Sequence, residues 1–103
     1  MVLITYELKT ARDYTPFYAA IQHQGDWCHY LAATWLVNTT STPQAIATAL
    51  KPLMEGNDFL LVVEITSNYQ GWLPKEAWDW INSRMYAATP TLPFINNYAA
   101  PTK

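Results

Sequence analysis

Residues 27–38 read Trp27-Cys28-His29-Tyr30-Leu31-Ala32-Ala33-Thr34-Trp35-Leu36-Val37-Asn38, and the fold is reasoned outward from them. Two short runs rich in aromatic and β-branched residues, 27–31 and 34–38, are separated by two alanines. That spacing predicts an antiparallel hairpin, although Ala32-Ala33 lacks the Gly or Asn that a primed turn prefers. On the N-terminal side, residues 2–8 alternate, with Val2, Ile4, Tyr6 and Leu8 on one face and Leu3, Thr5 and Glu7 on the other. This is the pattern of a strand with one buried face. Between that strand and the hairpin a helix is expected to start near Asp13 or Thr15. Pro16 suits its first turn, Tyr14, Phe17, Tyr18 and Ile21 fall at helical spacing, and Gly25 closes it.

Beyond the hairpin, Thr42-Pro43 gives an N-cap followed by proline at the first helical position, and Ile46, Ala49, Leu50, Leu53 and Met54 make an apolar stripe. Pro52 is expected to kink or shorten this helix. The run Phe59-Leu60-Leu61-Val62-Val63-Glu64-Ile65 is apolar on both faces until Glu64. Such a strand belongs in the interior of a sheet or at a subunit contact. Pro74 opens a third helix through Ile81. From Ala87 onward Pro90, Pro93 and Pro101 predict an extended tail, whose Leu92-Pro93-Phe94-Ile95 patch is too apolar to sit in water.

The order strand, helix, strand, strand, helix, strand predicts an α+β fold: a ferredoxin-like βαββαβ sandwich with an extra C-terminal helix and an extended tail. The expected organisation is one ferredoxin-like domain over 1–86 and a tail over 87–103 that packs on a dimer partner. One antiparallel sheet with two helices on one face leaves its second face to be covered, and a second copy of the chain is the expected cover.

Composition bounds the function. The chain has 103 residues, 50% hydrophobic and 14% charged, enough apolar material for one buried core and too much for disorder. A net charge of −2 argues against charge-driven binding to DNA. The single Cys28 excludes an internal disulfide, and with His23 and His29 it falls short of zinc-site spacing. The N-terminal run carries no basic segment and reaches a charge at Glu7, so neither a signal peptide nor a membrane span is expected, and the expected location is the cytoplasm.

Three places could carry chemistry. Glu7 and Glu64, near the ends of the first and last strands, are both expected on the second sheet face, where carboxylates could hold magnesium or act as acid and base. Because those strands are antiparallel neighbours, a separation of three to four residues sets the two carboxylates on the order of 10 Å or more apart, too far to share an ion within one chain. His29 and Cys28, adjacent on a strand, point to opposite faces and cannot work as a pair. His29 could instead pair with Glu7 or Thr34, whereas His23 at a helix end suits the helix dipole. The third place is the aromatic load, five tryptophans and seven tyrosines. Exposed on the second sheet face, aromatics could stack nucleotide bases. Without interleaved Lys and Arg, core and dimer contacts are the plainer use, and Trp72 after Gly71 is expected to pack over the sheet.

Taken together, Tyr6-Glu7-Leu8, Trp27-Cys28-His29, Thr34-Trp35-Leu36-Val37 and Glu64-Ile65-Thr66 followed by Gly71-Trp72 resemble the SinR-like proteins. These are similar to the small CRISPR-associated adaptation endoribonuclease and to VapD toxins. The resemblance covers about residues 2–82 and implies a ferredoxin-like fold and a homodimer, often with a C-terminal segment added to the partner's sheet. In the nuclease-active relatives an aspartate after a tyrosine ends the first strand and binds Mg2+ as a symmetric pair across the dimer. Glu7 after Tyr6 stands at the matching position, one methylene longer. That change and the scarcity of basic residues favour a homodimeric accessory or interaction protein in a CRISPR-associated or toxin–antitoxin setting, without catalysis. The alternatives are a Mg2+-dependent endoribonuclease acting on RNA, with Glu7 of both subunits at the dimer cleft and Tyr6, His29 and Asp58 as secondary candidates, and a nucleotide or small-ligand binder.

Overall fold

The computed structural model describes residues 1–85. The elements run β1 (Val2–Glu7), α1 (Thr15–Gln22), β2 (Asp26–Leu31), β3 (Thr34–Asn38), α2 (Pro43–Leu50), β4 (Phe59–Glu64) and α3 (Lys75–Met85), with a 3-10 turn at Lys51–Leu53 after α2. The expected hairpin forms as β2 and β3, with Ala32 and Ala33 as its turn. The four strands make one sheet in the order β2-β3-β1-β4, and every neighbouring pair is antiparallel. This is an α+β fold with a four-stranded antiparallel sheet and three helices.

Helix boundaries follow the local signals. Pro16 sits in the first turn of α1 and His23 caps its C-terminal end, its N–H donating to the carbonyl of Ala19. Thr42 accepts from the Ala45 N–H at 3.1 Å and so satisfies one free donor of the first turn of α2. Pro52 ends regular helix: the chain tightens into the 3-10 turn, as the missing N–H requires. Gly25 has a reason beyond helix ending, since a Cβ there would lie 2.3 Å from the carbonyl oxygen of Asn38. Only glycine lets the start of β2 pass this close to β3.

Two compact units are present, Met1–Glu64 and Ile65 onward. In the first, α1 and α2 cover one sheet face. Val2 and Ile4 of β1, Phe17 and Ile21 of α1, Trp35 and Val37 of β3, and Ile46 and Leu50 of α2 form its core. Each buried side chain of this size contributes about 1.5–3 kcal/mol of transfer free energy. In the second unit α3 buries Ala77, Trp78, Ile81 and Asn82 along one stripe, and Lys75 pairs with Asp79 one turn on at 2.9 Å. Tyr69 lies parallel to Trp78, 6.3 Å between ring centroids, and its hydroxyl donates to Asn82 Oδ1 at 3.2 Å. Trp72, expected to be packed, is 77% exposed: the segment around it, residues 65–74, is irregular and holds it in solvent.

The alternation of β1 holds, with Val2 and Ile4 buried and Tyr6 half-buried toward the helices. The apolar run at β4 is not interior to the sheet. It is an edge strand, with Phe59 at 59%, Leu61 at 58% and Val63 at 38% exposure. Strands of a four-stranded sheet with β1 and β3 central leave β4 a neighbour on one side only among the described residues. The tail and its Leu92–Ile95 patch lie outside the described residues. No helix among the described residues is long and apolar enough to cross a membrane.

Candidate functional site

Tyr6, at the helix-facing side of β1, accepts a hydrogen bond from Trp35 Nε1 at 2.9 Å, across the β1–β3 pair. Burial pushes the Tyr6 phenol up from its ordinary value, Tyr18 adds to the rise, and the Trp35 hydrogen bond opposes it. The phenol is therefore neutral at physiological pH, and an oxygen that accepts from Trp35 keeps its own O–H to donate. On one side of Trp35 lies His29, its ring 3.8 Å away and tilted by only 14°. On α1, Tyr18 is near-parallel to the same indole at 6.3 Å and 21°, and Trp27 leans on it at 5.2 Å.

These side chains line an open cleft with a cavity volume of about 490 Å³, bounded by Tyr6, Tyr18, Gln22, His29, Ala32, Ala33 and Trp35. Local sequence explains the opening. Tyr18 and Gln22, one helical turn apart, share a face of α1. The alanines of the hairpin turn carry too little volume to fill the space opposite them. Pairing of β2 with β3 shifts register between Cys28 and Leu31, an irregularity that re-aims the strand beside His29. The result is a flat aromatic wall with a few polar groups at its margin: the Tyr6 and Tyr18 hydroxyls, the Gln22 amide and the His29 ring. Among the described residues, no Lys, Arg, Asp or Glu lines it.

Of the residues singled out in the sequence, Tyr6 and His29 are brought to this cleft and Glu7 is not. Adjacent strand residues face opposite ways, so Glu7 lies on the other sheet face, opposite Phe59. Lys9 Nζ sits 4.6 Å from the centre of that same Phe59 ring. A lone carboxylate with an ammonium on the neighbouring ring does not fit a divalent cation within one chain. Glu64 pairs with Val2, five positions along β1 from Glu7, about 17 Å at a strand's rise. The expectation that both glutamates share the second face fails for Glu64, because the pairing parity puts it on the side of buried Val2. Among the described residues no three His, Cys, Asp or Glu side chains are gathered as for a metal ion.

His29 does not pair with Glu7 or Thr34, both of which lie on the second face; its partner is the Trp35 ring. Cys28 does point away from His29, opposite Leu36 on the second face, and is buried. Asp58 serves the fold: it accepts from the Lys9 N–H at 2.8 Å, the Tyr14 hydroxyl at 2.6 Å and the Glu55 N–H at 2.8 Å. Of the aromatics considered for the second face, Phe59 lies there, opposite Glu7 and exposed, whereas Tyr6, Tyr18, Trp27 and Trp35 are gathered on the helix side, at the margin of the core. Sequence reasoning missed Tyr18, Gln22 and the small Ala32-Ala33 as members of one site. The signal was present as an i, i+4 pair and an alanine turn, but nothing local links them. Comparison of the chain with protein-family profiles, with curated proteins and with solved structures gives no match.

Proposed function

We propose that the protein is a small non-catalytic binding protein that holds a flat, uncharged heteroaromatic ring, of the nucleobase kind, in the aromatic cleft. The observation that carries this reading is the exposed His29 ring held near-parallel on the buried Trp35 indole, 3.8 Å apart, beside an open cleft. A π-face is bound by stacking whatever its substituents, and the Tyr6 hydroxyl and Gln22 amide supply hydrogen bonds for a ring edge. Because no Lys or Arg among the described residues lines the cleft, phosphate adds nothing, and a nucleoside should bind as well as its nucleotide. The strand order β2-β3-β1-β4 with antiparallel neighbours supports a ferredoxin-like reading of the scaffold.

Titration with uncharged nucleosides, followed by tryptophan fluorescence, tests the proposal. Saturable quenching is expected, equal for nucleoside and 5′-monophosphate. His29→Ala should weaken binding about tenfold, the worth of one stacking contact. Absence of a saturable change with any base, or affinity gained from phosphate, refutes it.

A second reading, the homodimer expected from the sequence, is favoured by a separate observation. Phe59, Leu61 and Val63 leave an apolar row on the edge strand in water.

A further inference from the structure

We infer that two copies of the chain join through their β4 strands, pairing antiparallel about Leu61 into one continuous eight-stranded sheet. This rests on the homodimer reading and adds to it the surface and the register.

The argument starts from the backbone. The Tyr6 N–H donates to the Ala33 carbonyl at 3.2 Å, so the even residues of β1 turn their backbone groups toward β3 and the odd ones toward β4. Leu3, Thr5 and Glu7 pair with Val63, Leu61 and Phe59. The odd residues of β4 therefore spend their N–H and C=O groups on β1, and Leu60, Val62 and Glu64 turn theirs outward. β4 carries no proline and no lysine, and its pairing with β1 runs without a shift of register. These are devices that block an edge, and β4 has none of them.

Side chains then choose the register. An antiparallel partner must match odd residues to odd residues, or the apolar row would face the wrong side. Pairing Leu61 with itself sets Phe59 opposite Val63 twice. It joins all three exposed apolar residues to one another across a two-fold axis, as an isologous contact requires. The outward groups of Leu60 and Val62 then meet their counterparts as hydrogen-bonded pairs, and Asp58, whose N–H already donates to the Glu55 carbonyl, stays outside the ladder. Moving the centre to Val62 would carry Phe59 past the end of the partner strand and set Leu60 against Glu64. The apolar row Leu3, Val63 and Phe59 would continue from one copy into the next, with the Lys9 ammonium over Phe59 at its margin.

The register makes a covalent test possible. In it, residue 61 faces its own copy at a non-hydrogen-bonded position, where Cα atoms lie about 4.5 Å apart, within disulfide reach. Sedimentation of the full chain at micromolar to submillimolar concentration should show a dimer, and Leu61→Lys should raise its dissociation constant about tenfold or more. Under mild oxidation Leu61→Cys should give a disulfide-linked dimer, and Val62→Cys should not. A monomer throughout the range overturns both the homodimer reading and this one. A dimer that neither Leu61→Lys weakens nor Leu61→Cys cross-links leaves the homodimer standing and overturns the β4 surface. Cross-linking through Val62→Cys alone overturns the register.

Discussion

Asp58 accepts hydrogen bonds from three separate stretches of chain: the end of β1 at Lys9, the start of α1 at Tyr14 and the turn at Glu55. Burial alone would raise its carboxyl. The N–H of Lys9, the Tyr14 hydroxyl and the N–H of Glu55, with Arg12 nearby, together outweigh burial and hold it below the ordinary 3.8. A carboxyl whose folded pKa is depressed contributes stability that is fully present above the unfolded value and is lost as pH falls through the folded one. Asp58→Asn should therefore lower the Tm by several degrees at neutral pH, with the difference from the parent shrinking below pH 3.8. Thermal unfolding at the two pH values checks this, and a constant difference would contradict it. At Gly25 the constraint is steric. A methyl group 2.3 Å from the Asn38 carbonyl oxygen must move backbone, so Gly25→Ala should cost about 1–3 kcal/mol in denaturant unfolding.

Among the elements, α2 shows how local signals set boundaries that packing then uses. Thr42 caps it, Pro43 starts it, Ile46 and Leu50 bury one stripe, and Pro52 forces the 3-10 turn that leads toward β4. Removing the cap leaves an N–H of the first turn to water alone. Thr42→Ala should lower stability by about 1 kcal/mol, without altering the cleft, and denaturant unfolding alongside nucleoside titration separates the two effects. β4 shows the reverse. Its sequence of alternating Phe59, Leu61 and Val63 with Leu60 and Val62 says that both faces are apolar, but an element's own residues do not state whether its second face meets a sheet neighbour, a helix or another molecule.

For the molecule as a whole, sheet order separates the two proposed surfaces. His29 on β2 and Leu61 on β4 lie at opposite edges, three strand spacings or about 14 Å apart. The two surfaces share no side chain. Substitutions at such separations act independently, so Leu61→Lys should leave nucleoside affinity within about twofold, and His29→Ala should leave the dimer within the same margin.

What the sequence determined by itself was local. The hairpin, the caps at Thr42 and Pro43, the shortening at Pro52, the one-faced burial of β1 and the opposition of Cys28 to His29 all follow from periods and backbone preferences acting over a few residues. Beyond the hairpin and the expected neighbours β1 and β4, tertiary structure decided the registers and the gathering of the site. It put β4 at the edge, Glu64 on the face opposite Glu7, and Tyr6, Tyr18, Gln22, His29 and Trp35 around one cleft. The physical reason is that a strand's own sequence fixes which residues share a face, whereas which strand lies beside it, and in what register, is settled only when the whole apolar core closes.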